Sequence, residues 1–446
     1  MSKMRTDCEL RLSAEELHHS ITDPALSGIT LLNEIAARYP AAISFAPGWP
    51  PDDDYRGTDV ERYLRIFTEH VCGRGPDSDS ASGRLLFQYG PTAGIVRDLV
   101  TRWLAEEQNI AVDPAAIVMT VGCQEALAIT VRTLFAEKDD VLLVQAPSYF
   151  GILGVARILD IDLMPVSEGP HGLTAEAVRQ AIVQLRQAGR RARALYVIPS
   201  YANPSGHSME VAAREALLEL AYEQGLVLIE DNAYGSFART GPQLPTLKSM
   251  DRTRVVVHVG SFSKIAAPGL RVGFIIADQR ITGTAAGDSP AMLAGEMAKI
   301  KSVLSVNTSP ICQAILGGML IEARFRLTEH YQARRSAAAD RLTAMLDALN
   351  RLLGPLRTQF PELSWSQPGG GFFVQLNVPF VADLAALTDS AQNFGVLWCP
   401  MSLFRTDGGG TRQIRLASSY ASGDDVERGI TRLAHFIEHR TAPARR

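Results

Sequence analysis

Residues 255–264 read VVVHVGSFSK, an apolar run that ends in a turn of small and hydroxyl residues followed by Lys264. The run Val255–Val259 has the length and the β-branched composition of a buried strand. Five more short apolar runs predict strands of the same kind, at Ile117–Val121, Val141–Gln145, Ala194–Pro199, Leu226–Glu230 and Val272–Ile276. The stretch is therefore one of a series of buried strands.

Longer amphipathic segments separate these strands, and they predict helices at Gln124–Phe135, Ala175–Gln187 and Val211–Gln224. Strands that alternate with helices are typical of βαβ units. We therefore predict an α/β fold in which a mostly parallel sheet is covered by helices on both faces.

The pattern changes beyond Pro310, where a long helical periodicity covers Leu316–Leu349. It is followed by an alternating run and two helices, at Phe372–Leu376, Leu384–Phe394 and Asp424–His439. We predict a large domain over residues 46–315 and a small α+β domain over residues 316–446, to which the N-terminal segment 1–45 contributes. Gly73–Gly83 is predicted as a surface loop and Arg440–Arg446 as a frayed tail.

Composition narrows the class of protein. The 446 residues are 46% hydrophobic and 21% charged, with a formal net charge of -4, so no overall positive field attracts nucleic acid. The five cysteines are scattered and show no C-x-x-C spacing, which favours a reducing cytoplasm. Without a long apolar segment, we expect a cytoplasmic enzyme with no membrane and no nucleic acid partner.

Polar side chains follow three of the predicted strands. These segments are Tyr201–Gly206, Asp231–Gly235 and Gly260–Lys264. Because the carboxyl ends of parallel strands meet at one edge of a sheet, ligands bind there in open α/β folds. The sequence therefore predicts a polar site at this edge.

A phosphate site is predicted beside it. The strand Ile117–Val121 runs into Gly122-Cys123-Gln124 at a helix start, where free backbone N–H groups favour an anion. Ser261 and Ser263 add hydroxyl donors, and Arg271 lies seven residues after Lys264. A phosphorylated cofactor fits this arrangement better than a free nucleotide.

Three motifs together carry a resemblance to a known family. Ser261-x-Ser263-Lys264 with Arg271, Asn203-Pro204-x-Gly206 and Asp231-x-x-Tyr234 resemble the fold-type-I pyridoxal-phosphate enzymes of the class I/II aminotransferase family. The resemblance spans roughly Ile43 to Tyr420 and implies a seven-stranded type of central sheet.

A particular branch of the family is favoured by the order and spacing of the motifs, with Tyr89-Gly90-Pro91 upstream. It is the branch that includes aminoadipate and kynurenine aminotransferases. Leu31–Pro47 and Ile300–Pro310 are also similar to aminotransferases that make arylglycines such as dihydroxyphenylglycine in peptide-antibiotic pathways.

The resemblance implies pyridoxal 5'-phosphate as the cofactor, with Lys264 as the catalytic residue that binds its aldehyde and then moves a proton. Asp231 would keep the ring nitrogen protonated, so that the ring withdraws electrons from the substrate Cα. Asn203 and Tyr234 would bond to the phenolic oxygen, and Tyr149 would stack on the ring. Gly122, Cys123, Gln124, Ser261, Ser263 and Arg271 would hold the phosphate.

The resemblance also implies how substrates bind. Arg415 matches the arginine that binds the α-carboxylate of the amino acid and of the 2-oxo acid, with Asn203 and Gly48 beside it. Tyr89 matches a tyrosine that reaches across a dimer interface to the neighbouring cofactor, which implies a homodimer. The expected activity moves an amino group between a bulky, aromatic or aminoadipate-like amino acid and a 2-oxo acid.

Three places in the sequence depart from the family pattern. Cys123 stands where relatives usually have serine, so its backbone N–H can bind phosphate but its side chain is a poorer donor. Pro47-Gly48-Trp49-Pro50 replaces Gly-Gly-x-Pro, and Pro400-Met401-Ser402 replaces Pro-Gly-Ser. Trp49 is either an aromatic wall for a ring-bearing substrate or an ordinary packing residue.

Several of these residues, when each is considered alone, are also compatible with an ordinary structural role. Asp231 and Asn203-Pro204 are also compatible with turns, and Arg415 or its neighbour Arg412 with a surface charge. Gly369–Gly371 and Gly408–Gly410 lack G-x-G-x-x-G spacing and are interpreted as turns. The nine histidines show no metal-ligand spacing, so no metal is predicted.

Two other functions are compatible with parts of the pattern. The same Lys264 and Asp231 chemistry serves cyclases, lyases and decarboxylases on this fold. A transcription regulator with an aminotransferase-like effector domain needs a DNA-binding domain as well. Only about forty residues precede Ile43, without a basic helix-turn-helix pattern, so we do not expect a regulator.

Overall fold

The computed structural model describes residues 12–23, 26, 30, 34–50, 56–75, 77–169, 172–283 and 291–441. Residues 1–11, which include Cys8, residues 31–33 of the arylglycine-like stretch and residues 442–446 of the predicted tail lie outside these ranges. Within them, no helix is both long enough and apolar enough to cross a membrane.

A seven-stranded sheet forms the centre of the larger part of the molecule. Its strands are β1 Ile117–Val121, β2 Asp140–Ala146, β3 Asp162–Ser167, β4 Arg191–Val197, β5 Val227–Asp231, β6 Val256–Ser261 and β7 Val272–Ile276. They are ordered β1-β7-β6-β5-β4-β2-β3, and only β7 runs antiparallel to its neighbours. The predicted α/β fold with a mostly parallel sheet is confirmed.

One strand of this sheet was not predicted from the sequence. β3 lies at the edge, pairs only with β2 and is partly exposed. It contains Asp162 and Pro165, so it lacks the continuous apolar run by which a doubly covered strand is recognised.

Helices cover both faces of the sheet. One face packs against Gly122–Leu134, Phe150–Ile158 and Leu293–Leu304. The other packs against Ala175–Gln187 and Val211–Gln224, two helices with the predicted bounds. A third cluster joins the β1–β7 end of the sheet to Gly57–Cys72, Arg97–Gln108 and Pro310–Glu322. A short helix, Leu247–Met250, and a two-strand pair, Arg280–Ile281 with Ala291–Met292, complete this part.

A four-stranded antiparallel sheet forms the second part. Its strands are β8 Ser364–Trp365, β9 Phe373–Asn377, β10 Cys399–Pro400 and β11 Gln413–Ala417, in the order β8-β9-β11-β10. The sheet shares a core with the helices Gln332–Ala348 and Gly423–Thr441. Phe45 and Ile35 lie in this core, and Ile43–Ser44 pairs with Val396–Leu397. The domain boundaries at residues 45/46 and 315/316 stay a prediction.

Some helix bounds differ from those predicted. Residues Leu316–Leu349 are divided among Pro310–Glu322, Leu327–His330 and Gln332–Ala348, with Arg324 and Phe325 in the left-handed region between them. Residues Leu384–Phe394 form an α-helix, Leu384–Asp389, continued by a π-helical turn, Ser390–Phe394; another π-helical turn, Leu349–Leu353, follows Ala348.

The predicted loop Gly73–Gly83 is wrong in its second half, where the helix Ser78–Phe87 begins. The loop was inferred from its Gly, Ser and Asp content. Leu85 and Leu86, later in the same helix, pack against the third cluster, so tertiary burial overrides the local composition.

Candidate active site

Two adjoining cavities lie where the two sheets face each other. Their volumes are about 230 and 360 Å³. Both are lined by Trp49, Tyr149, Asn203, Tyr234 and Lys264. The smaller one is lined by predicted cofactor-binding residues, and we call it the cofactor cavity. The larger one contains Arg415, the predicted substrate-binding residue, and we call it the substrate cavity.

Most of the predicted site residues meet in these cavities. The cofactor cavity is lined by Cys123, Gln124, Tyr149, Asn203, Asp231, Tyr234, Ser261, Ser263, Lys264 and Arg271. Gly48 and Arg415 line the substrate cavity. Gly122 lies against Arg271, because a Cβ at Gly122 would collide with the Arg271 guanidinium.

Tyr89 is the predicted residue that the single chain does not bring to the site. Its side chain is 85% exposed and lies in another groove, beside Val71, Leu85 and Ile95. Tyr89 is therefore not among the described residues that line the two cavities of its own chain.

Asp231 lies at the carboxyl end of β5 and is buried. Its Oδ2 accepts a hydrogen bond of 2.8 Å from the Tyr196 hydroxyl, whereas no described N–H or O–H group bonds to the buried Oδ1. Burial raises the pKa of the Asp231 carboxyl to about 6, against the lowering effect of the Tyr196 bond. A buried acceptor without a donor fits the protonated ring nitrogen of a cofactor.

The predicted phosphate end has several donors. No side chain caps the first turn of the helix Gly122–Leu134, which leaves its backbone N–H groups for an anion. Arg271 Nη1 donates to Ser263 Oγ over 3.3 Å, and the Ser261 hydroxyl accepts from the Ser263 amide. Backbone N–H groups, hydroxyls and a guanidinium together suit a phosphate group.

A close approach of two backbones shapes this end. A Cβ added to Gly273 in β7 would lie 2.7 Å from the Gly122 carbonyl carbon and 2.9 Å from the Cys123 amide nitrogen. Gly122 itself has a φ of +70°, which favours glycine. The two glycines let β7 support the helix start from directly behind.

Lys264 follows β6 and reaches into both cavities. Its Nζ donates to the Gly48 carbonyl over 2.8 Å. Burial lowers the pKa of Lys264 to about 8, with smaller effects from the Arg271 and Arg415 cations. A lysine with such a pKa has a sizeable neutral fraction near neutral pH and can act as a nucleophile.

Tyr149 is held by its neighbours. Its hydroxyl donates to Gln124 Oε1 over 3.4 Å, and Gln124 Nε2 donates to the Gly151 carbonyl over 2.9 Å. Burial is the largest factor that raises the pKa values of Tyr149 and Tyr234, so both phenols stay protonated. They can therefore donate hydrogen bonds to a cofactor oxygen or phosphate.

Arg415 projects from β11 between two core residues. Ile414 and Leu416 point into the core of the small sheet, so alternation along the strand turns Arg415 toward the substrate cavity. Its guanidinium donates to Asn203 Oδ1 over 2.8 Å and to the Ala46 carbonyl. The sequence left open a surface role for Arg415, and its 4% exposure excludes that role.

Aromatic rings support the guanidinium. The Arg415 Cζ lies 4.6 Å from the ring centre of Phe373 and 4.9 Å from that of Phe404. The stacked rings hold the plane of the guanidinium in an apolar setting, where an α-carboxylate would be bound more strongly than in water.

Aromatic residues also line the mouth of the substrate cavity. Trp49, Phe150, Phe373 and Tyr420 contribute rings, with Ser44 and Ala36 between them. Among the described residues of this lining, only Lys264 and Arg415 are cationic. Trp49 is 56% exposed, so it lies on the wall of the cavity rather than in a core.

The sequence did not single out some of these residues. Tyr196 and Phe373 are members of apolar strand runs, and Phe404 belongs to a short 3₁₀ turn, Met401–Phe404. Alternation could place Tyr196 on one face of its strand, but only the tertiary structure places its hydroxyl beside Asp231.

Comparison with known proteins agrees with this geometry. The family model described as aminotransferase class I and II matches residues 62–433. The chain is 42% identical over 431 residues to the (S)-3,5-dihydroxyphenylglycine transaminase of Amycolatopsis orientalis, over 96% of this chain and 95% of that protein. It is 28% identical over 405 residues to the 2-aminoadipate transaminase of Thermus thermophilus, over 90% and 91% of the two chains.

A solved structure gives the same result. The crystal structure of Pyrococcus horikoshii kynurenine aminotransferase, in complex with PMP, superposes with a TM-score of 0.78 at 25% identity. The match covers 93% of this chain and 95% of that one. The resemblance inferred from the motifs is thereby confirmed, and the chain belongs to the class I and II aminotransferase family.

Proposed function

We propose that this aminotransferase uses pyridoxal 5'-phosphate, bound through Lys264, to move an amino group between an aromatic amino acid and a 2-oxo acid. The observation that supports it best is the position of the Lys264 amine. It lies in both cavities, with the unpaired Asp231 oxygen and the phosphate donors in one and Arg415 in the other. The family is pyridoxal-phosphate dependent, which agrees with this arrangement.

Each residue of the site has a different role in such a reaction. When bound, the cofactor supplies an electron sink that stabilises negative charge at the substrate Cα. Arg415 binds and orients the α-carboxylate, and Asn203, already bonded to Arg415, extends toward the cofactor side. Lys264 Nζ, once free, carries the proton away from Cα, and its depressed pKa suits that transfer near neutral pH. Tyr149, which lines both cavities, would stack on the cofactor ring and limit access of water to it.

The lining of the substrate cavity favours an aromatic side chain. Trp49 and Phe150 offer ring faces, and no described lining residue apart from Lys264 and Arg415 is available to pair with a second carboxylate. The distal carboxylate of an aminoadipate side chain would therefore find no second cation among the described lining residues. The name of the Amycolatopsis relative, a transaminase of an arylglycine, is in line with this choice.

Assembly and location complete the proposal. The family resemblance implies a homodimer in which Tyr89 reaches the cofactor cavity of the partner, and the 85% exposure of Tyr89 is compatible with such a contact. A cytoplasmic location remains a proposal based on the unpaired cysteine pattern.

The proposed reaction is tested through its first half-reaction, in which the amino donor transfers its amino group to the cofactor. Purified protein loaded with cofactor is mixed with single amino donors, and loss of the absorbance of the lysine-bound cofactor is followed. Aromatic donors should convert the bound cofactor to its amine form, and a 2-oxo acid should restore the absorbance. A cyclase, lyase or decarboxylase would turn over without needing the oxo acid, and preference for 2-aminoadipate would contradict the proposed substrate class.

The role of Lys264 is tested by Lys264→Ala. Because Lys264 is the one lysine among the described residues that line the cavities, the variant should lose both covalent cofactor binding and transamination, measured by absorbance and by product formation. Lys299→Ala is the control, since Lys299 is exposed and its ion pair with Glu296 lies on the surface. Unchanged turnover in Lys264→Ala would contradict the proposal.

A further inference from the structure

Tyr196 and Asp231 form a buried pair beneath the cofactor cavity. They lie on the neighbouring parallel strands β4 and β5, where Tyr196 is paired in register with Ile229. The Tyr196 side chain is 1% exposed and Asp231 is 3% exposed. Their hydrogen bond of 2.8 Å is therefore made out of contact with solvent, where such bonds are strongest.

The bond leaves the two carboxylate oxygens in different settings. Oδ2 is anchored to the Tyr196 hydroxyl, whereas Oδ1 has no N–H or O–H donor among the described residues. Anchoring one oxygen fixes the rotation of the carboxylate about its Cβ–Cγ bond. The other oxygen is then held in one position on the wall of the cofactor cavity.

We propose that Tyr196 is a positioning residue, whose hydroxyl anchors Asp231 so that its second oxygen stays ionised and available to the ring nitrogen of the cofactor. The inference rests on the proposed function, because it assumes that pyridoxal 5'-phosphate occupies the cofactor cavity. It extends that function to a residue that does not touch the cofactor.

The electrostatics favour this role. Burial raises the pKa of Asp231 to about 6, and the Tyr196 bond is the largest factor that opposes the rise. Removal of the Tyr196 hydroxyl would therefore raise the pKa of Asp231 further, toward the pH of the cell. The other titratable groups that act on Asp231 or respond to it are Cys123, Tyr149, Tyr234, Glu230 and His258.

None of these groups substitutes for the phenol. Glu230 is occupied by His258, which bonds to it over 2.8 Å on the far side of β5. Cys123 is a weak donor, and burial raises the pKa of its thiol, so it brings no charge. Tyr196 alone, within the described part of the chain, donates an O–H to the carboxylate.

The inference is tested by Tyr196→Phe, which removes one oxygen and keeps the ring. The dissociation constant of pyridoxal 5'-phosphate is measured with apoprotein between pH 6 and pH 9, beside the wild type. We expect binding about tenfold weaker near pH 7, because a charge-assisted hydrogen bond is lost and more of Asp231 is protonated. The ratio of the two constants should shrink as the pH rises and Asp231 ionises in both proteins.

A matched control separates this role from a general effect of a missing hydroxyl. Tyr201→Phe alters another buried tyrosine of the same region that has no bond to Asp231, and it should leave the pH dependence unchanged. Thermal unfolding of the apoproteins shows whether each variant is folded at the temperature of the assay.

A double-mutant cycle gives a second readout. Asp231→Asn removes the charge that Tyr196 is proposed to hold, so adding Tyr196→Phe to it should weaken cofactor binding little further. Equal effects of Tyr196→Phe with and without Asp231→Asn, or a wild-type pH dependence in the single variant, would overturn the inference. Wild-type protein that does not bind the cofactor would instead contradict the proposed function itself.

Discussion

Lys264 occupies a position in which burial and neighbouring cations change its chemistry. Its amine bonds to the Gly48 carbonyl, and its pKa of about 8 lies well below the usual value of a lysine. A surface lysine of the same chain has no such environment. A partly neutral amine is suited to attack an aldehyde, which is the role that we propose for Lys264.

From the lowered pKa of Lys264 we predict how the rate of covalent cofactor binding depends on pH. Only the neutral amine attacks the aldehyde, and its fraction rises as the pH passes through about 8. The rate at which apoprotein binds pyridoxal 5'-phosphate covalently, followed by absorbance, should therefore increase from pH 7 to pH 9 and then level off. A rate that continues to climb up to pH 10.5 would indicate a lysine with an ordinary pKa.

Arg415 makes a prediction about substrate binding. Arg415→Lys keeps the charge but removes the planar, two-pronged donor and its stacking on Phe373 and Phe404. We expect kcat/KM to fall about 10- to 100-fold for both the amino acid and the oxo acid, mainly through KM. Arg412→Lys is the control because Arg412 is exposed, and equal losses in both variants would contradict the assigned role.

At the scale of elements, the site depends on how closely β7 approaches the helix Gly122–Leu134. β7 is the one antiparallel strand of its sheet, and Gly273 lies directly behind the start of the helix. The pair β1 and β7 therefore supports the phosphate donors from below. The position of the phosphate donors therefore depends on the contact between β7 and the start of the helix.

Gly273→Ala tests this support. A methyl group there would lie 2.7 Å from the Gly122 carbonyl carbon and 2.9 Å from the Gly260 oxygen, so backbone must shift. We expect a stability loss of about 1–3 kcal/mol by chemical denaturation and weaker cofactor binding. Gly269→Ala is the control, since nothing lies within 4 Å of a Cβ there; similar losses in both would contradict the argument.

At the scale of the whole molecule, the exposed Tyr89 lines a separate groove from the cofactor and substrate cavities of its own chain. If Tyr89 completes the cavity of a partner, the two halves of an active site come from different chains. Such an arrangement can be tested without a structure of the dimer, by mixing variants.

We expect complementation between Lys264→Ala and Tyr89→Ala. In a mixed dimer, one site combines the intact Lys264 of one chain with the intact Tyr89 of the other, whereas the second site carries both changes. Subunits mixed by mild denaturation and refolding should regain up to about half of the wild-type activity per mixed dimer. Activity no greater than the sum of the separately refolded variants would contradict a shared site.

The sequence was sufficient to predict much of the site because its chemistry lies at strand ends. Runs such as Val255–Val259 predict buried strands, and parallel strands bring their carboxyl ends to one edge. Asp231, Asn203 and Lys264 therefore meet as expected. Arg415 follows from a motif match, and its burial agrees with the expected inward role.

Other features could not be predicted from local patterns. The edge strand β3 has mixed polarity, and the helix Ser78–Phe87 begins in a segment with the composition of a loop. The strand is stabilised by its pairing with β2, and the helix by its contact with Pro310–Glu322, so neither depends on its own local composition. The bond from Tyr196 to Asp231 and the stacking of Phe404 on Arg415 likewise depend on separate elements being packed together.

The amino-acid sequence by itself determined the α/β class and the family and singled out Lys264 as the proposed catalytic lysine, because periodicity and short motifs are local properties of the chain. The tertiary structure alone decided that Lys264 has a low pKa, that Asp231 keeps one unpaired oxygen and that aromatic rings surround Arg415. These properties arise from burial and from contacts between distant segments, which remove water and bring charges close together.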